Sequence, residues 1–381
     1  MQDDTLKSIN GQVLLNHFSK LKDPRVRGRT LHKLIDIIVI TICAIICGAE
    51  EWAQVAEFGM QRKEWLKQFL ELPNGIPSHH TFGRVFTLIE PEQLLACFME
   101  WAIEVTELRP GTIIAIDGKT VRKSFHKRIE QKPLHLINAY VGKERITIGA
   151  MKTPDKSNEI RGIPPLLKAL NIQDCIITMD AMGTQKGIVN LIQQRQADYV
   201  LALKNNHKHF YRAVSQLFDK ASSLKYNAMV FKEEKTFDYD HGRIEHREYR
   251  FLPIMYLYQF KKEWRGLETL IQVTSSREIG DKKEESIRYY ISSISLNNFS
   301  TIKNAIREHW SIENSLHWKL DVAMNEDHCR IYNPNAAENF STLRKLVLHC
   351  LEKETSTDRG ISFKQWRAAL NPEYLKKVIG F

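Results

Sequence analysis

Three carboxylates stand at positions where they could either do chemistry or serve structure. Asp117 ends the apolar run Thr112–Ile116 and is followed by Gly118, and Asp180 ends Cys175–Met179 and is followed by Ala181. In α/β sheets, sites assemble at the carboxyl ends of buried strands, although a strand-ending Asp is also a common turn starter. Glu313 falls in a helix expected over 301–324. At about 100° per residue, Ile302, Ile306, Leu320 and Met324 lie within about 20° of it, which puts Glu313 at the centre of the apolar stripe. A carboxylate there is costly unless something pairs with it, and His309 and His317 flank it one turn to either side. A buried Glu bonded to His is one account of this pattern; a carboxylate aimed into a metal site is the other. As a set, three carboxylates without soft ligands suit a hard ion, Mg²⁺ or Mn²⁺. Two such ions about 4 Å apart activate a water or 3′-hydroxyl and stabilise the leaving oxygen during in-line attack on a phosphodiester.

Other chemistries fail on the letters. Gly118-Lys119-Thr120 resembles the end of a phosphate-binding loop, but Ile113 stands where that motif needs Gly. A dehalogenase-type phosphatase would want an Asp at Ala115, no HExxH zinc motif occurs, and no nucleophile elbow surrounds any Ser or Cys. The six Cys residues form no CxxC pair and sit mostly in apolar runs, which argues against a disulfide framework and for a reducing compartment.

The elements that must position these acids are readable in outline. With 381 residues, 43% hydrophobic and 26% charged, the chain is globular and long enough for two or three domains. Residues 1–108 read as all-helical, with apolar spacing through Leu14–Leu21, Leu34–Cys47, Trp52–Phe58, Trp65–Leu72 and Leu94–Val105, and residues 106–111 read as a linker. From Thr112 the texture changes to short β-rich runs: Thr112–Ile116, Leu134–Val141, Arg145–Met151, Cys175–Met179 and Asp198–Leu203. Helical segments at Glu159–Leu170 and Gly187–Gln196 separate the later ones, which predicts a mixed α/β sheet. Residues 205–295 predict a β-rich insertion, with strands at Met229–Phe237, Arg247–Tyr258, Glu268–Ser275 and Ile287–Ile294, followed by the Glu313 helix and a helical tail. The domains expected are therefore 1–108 and 109–381.

The run Ile37–Cys47 is well short of the roughly 18–20 residues that a bilayer span needs, so a buried helix is expected and no membrane partner. The opening MQDDTLKSIN lacks the features of a secretory signal, and the expected location is cytoplasmic. The formal net charge of +10 points to a polyanion, nucleic acid ahead of membrane. Two segments concentrate Lys and Arg against one acid each: Lys20–Arg29, with Arg25, Arg27 and Arg29, and Lys119–Lys132, with Lys119, Arg122, Lys123, Lys127 and Arg128. Solvated basic loops are the bland reading of both; phosphate contact is the sharper one.

Three stretches carry a family resemblance: Ala115–Thr120, Asp180–Gln185 and His309–Asp321. They strongly resemble the H-repeat-associated proteins, DDE transposases of bacterial insertion sequences. Asp23-Pro-Arg25, His32–Asp36 and Ile76-Pro-Ser78 with Thr81-Phe82 resemble that family's associated N-terminal domain, and Lys156–Glu159 and Tyr199–Lys204 also match. The resemblance implies an RNase H-like mixed-sheet catalytic core with a β-rich insertion between the second Asp and the Glu, preceded by an all-helical N-terminal domain. It implies Asp117, Asp180 and Glu313 as catalytic and metal-holding acids, with Mg²⁺ as cofactor and Mn²⁺ as substitute. It also implies element-end and target DNA as partners, a homodimer or higher assembly on paired ends, and action at the nucleoid. The activity implied is cleavage at element ends and joining of 3′-hydroxyls to target DNA; an inactive DNA-binding remnant, or a nuclease that cuts without joining, are the alternatives. Related transposases carry a Tyr-x2-Arg-x3-Glu-x6-Lys pattern around the acid. Here Ile306 takes the Tyr position, His309 the Arg position and Leu320 the Lys position, with Lys319 one residue early. His309 and Lys319 therefore join the basic residues above as candidate DNA contacts.

Overall fold

The computed structural model describes residues 9–26, 28, 30–124, 132–154, 159–223, 229–240, 243–279 and 282–381. Arg27, Arg29, Lys127 and Arg128, and the matched positions 156–158, lie outside the described residues. Six helices precede the first strand: α1 (Gly11–Phe18), α2 (Leu34–Ile46), α3 (Trp52–Gln61), α4 (Lys63–Leu66), α5 (His79–Leu88) and α6 (Pro91–Val105). Their starts follow local chemistry. Asn10 accepts the Gln12 N–H ahead of α1, Ser78 accepts the Thr81 N–H ahead of α5, and Pro91 opens α6 where an N–H has no partner within the helix. The sequence reading places no helix at α5, because its apolar residues are interrupted by two His, Thr, Gly and Arg. α2 is apolar all round and buried nearly throughout. Its Asp36 accepts the Leu72 N–H at 3.1 Å, and burial raises that carboxyl above its ordinary pKa. Among the described residues no helix is long and apolar enough to cross a membrane.

The remaining elements are β1 (Ile113–Val121), β2 (Leu134–Val141), β3 (Ile146–Thr153), α7 (Glu159–Ala169), β4 (Ile176–Met179), α8 (Lys186–Gln194), β5 (Asp198–Leu203), α9 (Lys208–Ser223), β6 (Lys232–Asp240) and β7 (Arg243–Pro253). They continue with α10 (Tyr258–Lys261), β8 (Thr269–Ile279), β9 (Lys282–Ser292), α11 (Phe299–Ser311), α12 (Trp318–Val322), α13 (Pro334–Lys353), α14 (Ile361–Leu370) and α15 (Pro372–Ile379). Among the described residues the strands form one sheet in the order β3-β2-β1-β4-β5-β9-β8-β7-β6. β4 pairs in parallel with β1 and β5, whereas β2/β3, β5/β9 and the meander β6 to β9 are antiparallel. This is a mixed α/β fold with an RNase H-like core. The β-rich insertion does not form a sheet of its own: its last strand, β9, pairs with β5 and extends the central sheet.

The chain divides into two compact units, one of residues 1–108, 118–158 and 313–381, the other of 109–117 and 159–312. The first is organised around α13, which is buried along most of its length and packs against α2, α5, α6 and β3. Asn339 on α13 donates to the carbonyls of Phe86 and Ile89, both at 2.9 Å, and so ties it to the end of α5. In the second unit, α11 lays Ile302, Ala305 and Ile306 on a core that includes Ile176, Val200, Tyr249, Phe251 and Ile271. The polar side of α11 is tied to β6, Lys303 pairing with Glu234 and Arg307 with Asp238. The helix that leads to Glu313 is thus fixed on one side by apolar burial and on the other by ion pairs.

Candidate active site

The β1/β4 ladder runs in register from Ile113 opposite Ile176 to Ile116 opposite Met179. Asp117, the next residue of β1, and Asp180, the residue just after β4, therefore follow the last paired positions of two neighbouring parallel strands. The sequence reading ends the first strand at Ile116, but β1 continues through Asp117 to Val121. The continuation holds because Val121 and Lys119 are both buried, and Thr120 Oγ1 lies 2.7 Å from His135 Nδ1 on β2. Gly118 and Lys119 look like breakers only while the partner of Lys119 is unknown.

Asp180 directly follows β4, as read. Its Oδ1 accepts the N–H groups of Met182 and Gly183 at 2.9 and 3.2 Å, so this residue is also a turn starter. The turn is held from outside: Thr184 Oγ1 donates to Ala202 O, and Asn206 Nδ2 donates to Ala181 O. One carboxylate oxygen therefore fixes the orientation of the other.

Glu313 does not sit in the apolar stripe. Its side chain is 53% exposed, while Ile302, Ile306 and Leu320 are buried. A π-helical turn over Ile312–His317 lies between α11 and α12. A π turn holds more residues than an α turn, so an extrapolation at α-helical pitch fails across it. Ile312 and Leu316 take the buried positions and Glu313 emerges beside His317, whose Nδ1 is 3.4 Å from Glu313 Oε2. Just upstream, His309 Nδ1 lies 3.0 Å from Thr178 Oγ1, which links α11 to β4 two residues before Asp180. Arg288 of β9 stacks over Trp310 at 4.8 Å.

Among the described residues, Asp117, Glu313 and His317 each offer a ligand atom, all within 4.8 Å of one another. Two carboxylates and one imidazole form a donor set that fits a divalent ion. Asp180 is not in that cluster. His317 is the member that sequence reasoning noticed as a flank of Glu313 without assigning it a role; the i, i+4 spacing of His to Glu was the available signal.

The candidate DNA contacts separate. Lys119 is buried, with Nζ 2.6 Å from Asp321, 3.1 Å from Glu326 and 3.6 Å from Asp327. Burial alone would lower its pKa, but those three carboxylates raise it above the ordinary lysine value. Burial likewise raises Asp321 against the pull of Lys119, yet a 2.6 Å contact is that of an ion pair. Arg25 pairs with Asp23 and donates to His32 O, Lys319 pairs with Glu352, and His309 meets Thr178. Arg122 and Lys123 are exposed, the former beside Asp327.

The family model described as Transposase DDE domain matches residues 108–350, and the DDE_Tnp_1-associated model matches residues 15–102. The chain is 40% identical over 372 residues to "Putative transposase YncI" of Escherichia coli O157:H7, covering 97% of this chain and 94% of that protein. It is 38% identical over 375 residues to "H repeat-associated putative transposase YhhI" of Escherichia coli K12, covering 96% and 97%. A solved piggyBac transposase synaptic complex with hairpin DNA is similar at a TM-score of 0.42 and 12% identity, over 99% of this chain and 79% of that one.

Proposed function

The chain belongs to the DDE transposase family, and from that premise we propose that it cleaves DNA at the ends of an insertion sequence and joins the 3′-hydroxyl ends to target DNA. The observation that carries this reading is the approach of Asp117, Glu313 and His317 to within 4.8 Å, with Asp180 following the strand next to Asp117. Asp117, Asp180 and Glu313 would be the carboxylates that hold divalent ions, Mg²⁺ or Mn²⁺, with His317 as a further donor beside Asp117 and Glu313. Bound there, such ions lower the pKa of a water or 3′-hydroxyl and offset charge on the phosphodiester oxygens. The chain's own groups do the rest. The Met182 and Gly183 amides orient Asp180, and the His309–Thr178 contact keeps α11 against β4. Fixed ligand positions matter because a misplacement of about 1 Å can cost roughly a hundredfold in rate.

Arg122 and Lys123, exposed just after β1, are candidates in this reading to meet DNA phosphates. Residues 1–108 supply end recognition in this reading, since base or shape contacts must add to charge for a sequence to be read. Paired ends call for two or more copies of the chain.

The test is a strand-transfer assay on the full-length protein with pre-cut ends and a target duplex. Joined product is expected in Mg²⁺ and Mn²⁺ and none in excess EDTA, with Ca²⁺ supporting binding but little joining because its longer bonds and looser geometry misplace the reactants. Cutting without joining would instead identify a nuclease, and binding with neither reaction a remnant.

A further inference from the structure

Lys119 stands two residues after Asp117 on the same strand, and residues i and i+2 of a strand face the same side. Its ammonium is buried and donates at 2.6 Å to Asp321, which lies on α12, the continuation of the turn that carries Glu313 and His317. Glu326, fully buried, takes the same ammonium at 3.1 Å, and its other oxygen accepts from Ser341 of α13 at 2.7 Å. Lys345 donates to that Ser341 hydroxyl at 2.9 Å. Asp327 completes the ring: it lies 3.6 Å from Lys119 and accepts the Arg122 N–H at 3.1 Å. One cation therefore ties the strand of Asp117 to the helix of Glu313, and Glu326 ties both to α13.

We propose that Lys119 and Asp321 are positioning residues, an ion-pair tether that sets Asp117 and Glu313 at the spacing a divalent ion requires. The inference rests on the reading of Asp117 and Glu313 as metal ligands. Hydrophobic packing could hold strand and helix together but would not fix their offset along the strand. An ion pair whose ammonium is buried and whose hydrogen bond is short does, and fixing registry is the best-attested role of buried ionic groups.

The test is Mn²⁺ affinity of the full-length protein, followed by the electron paramagnetic resonance of free Mn²⁺, with far-UV circular dichroism and the melting temperature as checks on folding. Asp321→Asn leaves Lys119 paired with Glu326, so the chain stays folded, and Mn²⁺ affinity falls about tenfold. Asp321→Glu can still reach the ammonium and restores affinity to within about threefold of wild type. Wild-type affinity in folded Asp321→Asn, or an Asp321→Glu variant as weak as Asp321→Asn, overturns the tether. Asp117→Asn checks the underlying reading separately: wild-type Mn²⁺ binding in that variant would overturn the metal site itself, whatever the Asp321 variants do.

Discussion

At the residue scale the charges around β1 are arranged for position more than for contact with solvent. Glu326 shows this most clearly. Burial pushes its carboxyl up, but Lys119, Lys345 and Arg344, with a hydrogen bond from Ser341, more than offset that and hold it at about 2, below the ordinary 4.5. A carboxyl whose folded pKa is depressed stabilises the fold above its unfolded pKa, and that contribution is lost as pH falls through the folded value. Stability to urea is therefore expected to fall as pH drops from 4.5 to about 2. Glu326→Gln should flatten that part of the curve and lower stability at neutral pH by about 3 kcal/mol, because it leaves the Lys119 ammonium with less compensation. Equilibrium urea unfolding at a series of pH values measures both; an unchanged acid slope in the variant would show that the network does not depend on Glu326.

At the element scale, α11 transmits the core to the site. Ile306 is buried among Ile176, Tyr249 and Phe251, one turn ahead of His309. Ile306→Ala should cost about 2–5 kcal/mol in unfolding free energy by lost burial and a residual cavity, which denaturant titration would read directly. A cost below about 1 kcal/mol would mean that α11 is not seated on this core. The elements also show what was legible in the sequence. The alternation of apolar runs and helical spacing revealed most strands and helices, and the acids stood out because charge at the end of an apolar run is conspicuous. Several things were hidden, among them α9 (Lys208–Ser223), which lies inside the stretch read as β-rich. The π turn at 312–317 has no sequence signature at α-helical pitch, so Glu313 was expected in the apolar stripe and is exposed instead. The extension of β1 past Asp117 depends on Lys119 being neutralised by acids some 200 residues further on, which no local window contains. α5 depends on the Ser78 cap and on burial against α3 and α13 more than on its own weak apolar pattern.

At the scale of the whole molecule, the meander β6 to β9 lengthens the sheet that carries Asp117 and Asp180, so the insertion is continuous with the catalytic core. It also gives α11 its second support, through Glu234, Asp238 and Arg288. The net charge of +10 remains the long-range attraction for DNA even though Arg25, Lys119 and Lys319 are engaged by carboxylates. In the proposed reading, affinity for DNA and the chemistry on it are carried by different groups, and this separation is open to measurement. The decisive experiment is joining of a pre-cut element end to target DNA in Mg²⁺ by full-length Asp117→Asn, Asp180→Asn and Glu313→Gln, with end binding followed in parallel by gel shift. Each variant is expected to lose joining by roughly a hundredfold or more, since it removes a ligand charge from the reacting centre, while end binding stays within a few-fold of wild type. Near-wild-type joining by any one of the three would contradict the account.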